Sequence, residues 1–66
     1  MLTINQKLEL QSEIRDANIY ISRTDNGADV ATLSGIIDDI EFAIRQGSWA
    51  YGPLLEFAEW RAKALE

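Results

Sequence analysis

The sequence contains neither cysteine nor histidine, and it has one proline and four glycines among its 66 residues. Without cysteine the chain cannot form a disulfide, and without cysteine or histidine it cannot form an ordinary structural zinc site. A domain of this length buries only about 60% of the surface that its unfolded chain exposes. We therefore expect a single small domain over residues 1–66, stabilised by well-packed helices or by oligomerisation.

The absence of cysteine and histidine also restricts the reactions that the protein could catalyse. The usual general base at neutral pH, the thiol nucleophile and the common transition-metal ligands are all missing. No glycine belongs to a phosphate-binding motif. Carboxylate pairs such as Asp38 and Asp39 remain, but adjacent helical positions point about 100° apart and do not converge on a substrate. The sequence predicts a protein that is not an enzyme and that uses no cofactor or metal.

The charge balance is acidic, with 6 Lys and Arg against 11 Asp and Glu, a net charge of −5. Direct nucleic-acid binding is not expected, because it requires cationic groups that displace condensed counterions. No apolar stretch approaches the roughly 20 residues needed to cross a bilayer, so no membrane association is expected. The first residues lack a basic region followed by an apolar block, which predicts a cytoplasmic protein.

Three segments with helical periodicity are separated by turn-rich stretches at 25–27 and 47–53. The first predicted helix covers about residues 4–23, and Thr3 and Gln6 have the spacing of a capping box. The second covers about 28–46, with Gly47 where a left-handed C-cap residue is expected. The third covers about 53–64, with Pro53 at its first position. The pattern predicts an all-α, three-helix up-down-up bundle.

An α+β alternative has a β-hairpin at 18–33. Residues 18–23 are rich in β-branched side chains, and Asn26-Gly27 is a favoured hairpin turn. Against the hairpin, apolar residues keep helical spacing from Val30 to Ile44 without a break. Gly35 is the weak point of that helix, and it indicates either a close helix crossing or a later helix start.

Apolar residues outnumber the positions that a three-helix core requires. On the first helix, one stripe faces the core and consists of Leu10, Ile14, Ala17 and Ile21. On the third helix, the predicted core stripe consists of Leu54, Leu55, Ala58, Ala62 and Leu65, with Phe57, Trp60 and Ala64 beside it. Surplus apolar residues would leave a patch of a size that monomers seldom expose. We therefore expect a homo-oligomer, whose interface residues are Ile4, Leu8, Ile19 and Phe57.

Several aromatic residues also fall outside the predicted core stripes. Aromatic and arginine side chains are enriched at the centres of protein interfaces. The residues predicted to bind a partner are Phe42, Trp49, Tyr51, Trp60, Tyr20 and Arg45. The sequence thus favours a small, acidic, non-enzymatic interaction module that binds and blocks or bridges a protein partner and that acts as a homo-oligomer.

Two other functions are consistent with the sequence. A carboxylate-rich face could imitate nucleic-acid phosphates and occupy a basic site, as an antitoxin-like or phage-type anti-defence inhibitor would. The residues of that acidic face are Asp38, Asp39 and Glu41, extended by Glu56 and Glu59. Alternatively, pockets between subunits could sequester a small nucleotide by stacking and phosphate binding. The residues that would line such pockets are Tyr20, Trp49, Tyr51, Arg23 and Arg45.

Overall fold

The computed structural model describes residues 1–64, which form three α-helices: α1 (Ile4–Arg23), α2 (Gly27–Gln46) and α3 (Tyr51–Ala64). The prediction of an all-α, three-helix bundle is confirmed. The absence of strands within this part of the chain argues against the hairpin alternative, since residues 18–23 and 27–33 are helical. Helix α2 packs against both α1 and α3, and the molecule measures 36 × 19 × 17 Å along its principal axes.

Local hydrogen bonds fix the starts of α1 and α2, and the sequence predicts those at the start of α1. The backbone amide of Gln6 donates to the Thr3 hydroxyl (3.0 Å), and the Thr3 amide donates to the Gln6 side chain (2.9 Å), completing the capping box. Asn26 caps α2, because its side-chain oxygen accepts from the amides of Ala28 (2.9 Å) and Asp29 (3.3 Å). Helix α2 therefore begins at residue 27, one residue earlier than predicted.

Two glycines, one inside α2 and one at its C-cap, have different roles. Gly47 adopts the left-handed conformation (φ 69°), as its C-cap position predicts. Gly35 lies inside α2 and marks neither a helix start nor a close crossing, because no side chain or neighbouring helix lies within 4 Å of where a Cβ would stand. The helix tolerates Gly35 because packing of its apolar face outweighs a local loss of about 1 kcal/mol.

Helix α3 begins earlier than predicted. It starts at Tyr51 and not at Pro53, which occupies the third helical position. This placement costs no hydrogen bond, because the first amides of a helix have no partner within the helix. The first regular bond of α3 joins the Leu54 amide to the Ala50 carbonyl (3.1 Å).

The buried core combines residues from all three helices and the connection before α3. Its members are Leu10, Ala17, Leu33, Ile36, Ile37, Ile40, Ala50 and Phe57. The predicted core stripe of α1 is confirmed, since Leu10 and Ala17 are buried and Ile14 and Ile21 pack against them. No charged or polar residue is buried among residues 1–64.

The predicted core face of α3 is wrong except at Leu54, which packs against the core. Phe57, which the sequence assigned to an oligomer interface, is 0% exposed and is the largest side chain of the core. Leu55, which the sequence assigned to the core, is 62% exposed, and Ala58 and Ala62 are also exposed. The last member of that stripe, Leu65, lies outside the described residues. Helix α3 thus buries the stripe containing Leu54 and Phe57 and leaves its other apolar stripe on the surface.

Candidate interaction surface

Three aromatic residues form a cluster that attaches α3 to the other helices. The ring of Tyr20 meets Trp60 edge-on with centroids 5.1 Å apart, and it meets Phe57 edge-on at 6.1 Å. The indole nitrogen of Trp60 donates to the Asp29 carboxylate at 3.2 Å. Tyr20 and Trp60, which the sequence assigned to partner binding, therefore pack in the fold. Both remain partly exposed, so their assignment to partner binding stays a prediction.

Arg61 closes the same cluster from the side of α1. Its guanidinium lies 4.4 Å above the centre of the Phe57 ring. It also pairs with Glu13 at 3.4 Å and with Asp16 at 3.9 Å. The aliphatic part of an arginine can cover apolar surface while its charged end stays near water, so Arg61 serves as the edge of the core on α3.

Trp49 and Tyr51 lie where α2 passes into α3. Trp49 is partly buried against the core, and its ring meets Tyr51 edge-on with centroids 6.4 Å apart. Tyr51 itself is 78% exposed. Trp49 is therefore mainly a packing residue, whereas Tyr51 stays at the surface where the sequence places it.

Several large apolar side chains remain exposed once the core has formed. Beyond the first residue of the chain, they are Ile4, Leu8, Ile19, Phe42, Tyr51 and Leu55. Phe42 is 57% exposed on the face of α2 opposite its core stripe. Of the predicted oligomer residues, Ile4, Leu8 and Ile19 are thus at the surface, while Phe57 is not.

The total accessible surface of the chain is somewhat larger than its mass predicts. The chain exposes 4629 Å², whereas a compact monomer of its mass would expose about 4,200 Å². An elongated shape of 36 × 19 × 17 Å exposes more surface than a compact one of the same mass.

The start of α1 lies beside the end of α2. The backbone of Met1 passes so close to Gly47 that a Cβ on that glycine would lie 4.0 Å from the Met1 Cα. Ile4 and Leu8 follow within the first turns of α1, and Phe42 lies in the last turns of α2. We call the exposed side chains of Ile4, Leu8 and Phe42 the apolar end.

The acidic residues of α2 are exposed. Asp38, Asp39 and Glu41 all face solvent. No ion pair to any of them occurs among residues 1–64, where Arg61 makes the observed ion pairs. Arg45 is also exposed, four positions after Glu41. An unpaired negative face is therefore available for a basic surface.

The structure separates the residues that were predicted to line a nucleotide pocket. A surface cavity of about 240 Å³ includes Tyr20, Arg23 and Arg61, but Trp49 and Tyr51 lie at the other end of α3. The charge of Arg61 is already balanced by Glu13 and Asp16. A second cavity of about 290 Å³ lies beside Trp60 and Lys63. Both are smaller than ordinary ligand sites, which occupy roughly 300–1,000 Å³.

Within residues 1–64, no helix combines the length and the apolar character that crossing a membrane requires. The same residues contain no group of three side chains placed to hold a metal ion. Comparison of the chain with protein-family models, curated proteins and solved structures gave no match. Function must therefore be argued from the surface of this molecule itself.

Proposed function

We propose that the protein is a non-enzymatic, cytoplasmic interaction module that binds a protein partner through the apolar end and acts as a homo-oligomer. The observation that carries the proposal is the exposure of Phe42, opposite the core stripe of α2. A phenylalanine there adds nothing to the core. Aromatic side chains surrounded by polar residues are typical centres of protein interfaces.

The arrangement of the helices supports a shared docking surface. Three residues connect α1 to α2, and four connect α2 to α3. Connections this short favour antiparallel neighbours, so we infer an up-down-up bundle. In that arrangement Ile4, Leu8 and Phe42 lie at one end of the molecule, together with the contact between Met1 and Gly47. Each of the three side chains lies away from the core stripe of its own helix, so a partner centred on Phe42 would have to reach around this end to bury Ile4 and Leu8 as well.

A second candidate function rests on the acidic face. Asp38, Asp39 and Glu41 are exposed without an ion pair among the described residues, so they could occupy a basic site on another protein as an imitation of nucleic-acid phosphates. Binding of that kind would weaken steeply as salt is added. Docking through the apolar end would respond much less to salt.

The proposal is tested by capturing the partner with tagged protein from the cell that makes it. We expect Phe42→Ser to reduce capture about 10-fold or more, because loss of a central aromatic anchor costs about 2 kcal/mol or more. Ala31→Ser is the matched control, since Ala31 is exposed on the same helix. Both variants should keep the helical circular dichroism of the native protein.

Two outcomes would contradict docking through the apolar end. One is capture that is unchanged by Phe42→Ser. The other is capture that survives Phe42→Ser but is lost in the double variant Asp38→Asn, Asp39→Asn and at raised salt, which would favour the acidic face instead.

A further inference from the structure

Helix α3 carries an exposed apolar stripe with the spacing of a coiled coil. Its members are Tyr51, Leu55, Ala58 and Ala62, which alternate in steps of four, three and four residues. That alternation places all four on one line along a helix, as the a and d positions of a heptad. All four are exposed, and we call them the α3 seam. The buried stripe with Phe57 lies on another side of the helix, so the seam has no partner within residues 1–64.

We propose that the α3 seam pairs antiparallel with the α3 seam of a second copy of this chain. This inference rests on the homo-oligomer of the proposed function and names its contact surface. It replaces the predicted interface that contained Phe57, which is buried.

The order of side-chain sizes along the seam favours a second copy over an unrelated helix. Two large residues come first and two alanines follow. In an antiparallel pair, Leu55 can lie opposite Ala58 of the second copy, and Tyr51 can then lie opposite Ala62. Both pairs are centred midway between residues 56 and 57, so one twofold axis generates both. Each layer combines a large side chain with a small one, which is how facing helices interdigitate.

Charge at the edge of the seam favours the same arrangement. Glu59 and Gly52 are seven residues apart and therefore share one flank. In the antiparallel register, Glu59 lies within about 3 Å, along the helix axis, of the level of Gly52 in the second copy. None of the side-chain hydrogen bonds among residues 1–64 caps the first turn of α3. The first amides of a helix attract a carboxylate, so each Glu59 would stabilise the other copy's α3.

A parallel pair would be less favourable. It would align the helix dipoles, and it would place Glu59 about two helical turns from the first amides of the other copy's α3. It would also stack Ala58 on Ala58 and Ala62 on Ala62, which leaves gaps that the antiparallel layers fill. These differences select the antiparallel direction.

We expect the dimer to have moderate affinity. The seam covers about three helical turns, and such a contact buries less than the roughly 1,200 Å² of a standard stable interface. We therefore expect association in the micromolar range, visible as a molar mass that rises with protein concentration.

Sedimentation velocity across that concentration range tests the inference. The native protein should shift from monomer to dimer, and Ala58→Glu should remain monomeric. The matched control is Ala31→Glu, which places the same charge on an exposed alanine of α2 and should dimerise like the native protein. Glu59→Gln should weaken association about three- to thirtyfold, because the dimer loses two charge–dipole contacts and each contributes about two- to fivefold.

Because the chain has no cysteine, introduced cysteines report the direction of pairing. A mixture of Leu55→Cys and Ala58→Cys should form mostly the mixed disulfide on oxidation. A native protein that stays monomeric, a dimer that survives Ala58→Glu, or a predominance of disulfides between two Leu55→Cys copies would each overturn the inference. A monomer that still captures a partner through Phe42 would contradict the seam alone, whereas a dimer whose partner capture ignores Phe42 would contradict the docking alone.

Discussion

Two glycines of this chain differ in backbone conformation and in the space around them. Gly35 lies in the interior of α2 with open space around it, whereas Gly47 ends the helix at φ 69°. An added Cβ would reduce the freedom of the unfolded chain in both cases. Only at Gly47 would it also meet the steric penalty of the left-handed region.

We predict that Gly35→Ala stabilises the protein by about 0.5–1 kcal/mol, since alanine is the better residue in a helix interior. Gly47→Ala is the matched control and should destabilise it by about 1 kcal/mol. For a domain of this size, such changes move the midpoint of thermal unfolding by about 4–8 °C per kcal/mol. Thermal unfolding followed by circular dichroism measures both, and a loss of stability in Gly35→Ala would show that the outer face of α2 is covered.

At the scale of elements, the sequence predicts α1 and α2 closely and assigns α3 the wrong face. Helices α1 and α2 are predictable because their core stripes are long and two of their caps are local: Thr3 with Gln6 for α1, and Gly47 for α2. The N-cap Asn26 is not predicted, because Asn26-Gly27 is also a favoured hairpin turn. Helix α3 has two apolar stripes that both have helical spacing. One contains Leu55, and the other contains Phe57.

The choice between those stripes depends on contacts between residues far apart in the chain. The charged residue Arg61 lies on the same side of α3 as Phe57. Its guanidinium lies over the Phe57 ring and pairs with Glu13 of α1. Tyr20 supplies the edge-on contact that accommodates Trp60. Periodicity within a single helix contains no information about such pairs, so the buried face of α3 could not be read from the spacing alone.

A comparison of two variants of α3 tests the corrected face. Phe57→Ala should cost about 3–5 kcal/mol, because it removes the largest core side chain and leaves a cavity. Leu55→Ala should change the free energy of unfolding by less than about 0.5 kcal/mol at concentrations where the protein is monomeric. Urea denaturation measures both. If Phe57→Ala proves too unstable to fold, Phe57→Leu gives a smaller loss in the same direction. A larger loss of stability in Leu55→Ala than in Phe57→Ala would instead support the predicted core face, which contains Leu55.

The predicted site residues also divide into those whose exposure depends on one helix and those whose exposure depends on packing between helices. Exposure of Phe42 follows from its angle on α2, a property of one helix that the sequence determines. Partial burial of Tyr20 and Trp60 follows from aromatic contacts between α1 and α3, and these depend on how the helices pack. The sequence therefore predicts the surface position of Phe42 correctly, whereas it does not predict the packing of Tyr20 and Trp60 against α3 and α1.

At the scale of the whole molecule, three helices bury one compact core and still leave apolar side chains on two other surfaces. The apolar end and the α3 seam are both outside that core. A chain that cannot be stabilised by a disulfide or an ordinary zinc site gains most from contacts with further protein. This is why we assign both surfaces to binding.

Site-specific photo-crosslinking in the cell that makes the protein tests the docking claim most directly. An aromatic photo-reactive amino acid replaces Phe42 in one variant and Ala31 in another, both on exposed positions of α2. We predict one discrete adduct with another protein from position 42 and none from position 31. No adduct from position 42, or the same adducts from both positions, would contradict docking through the apolar end.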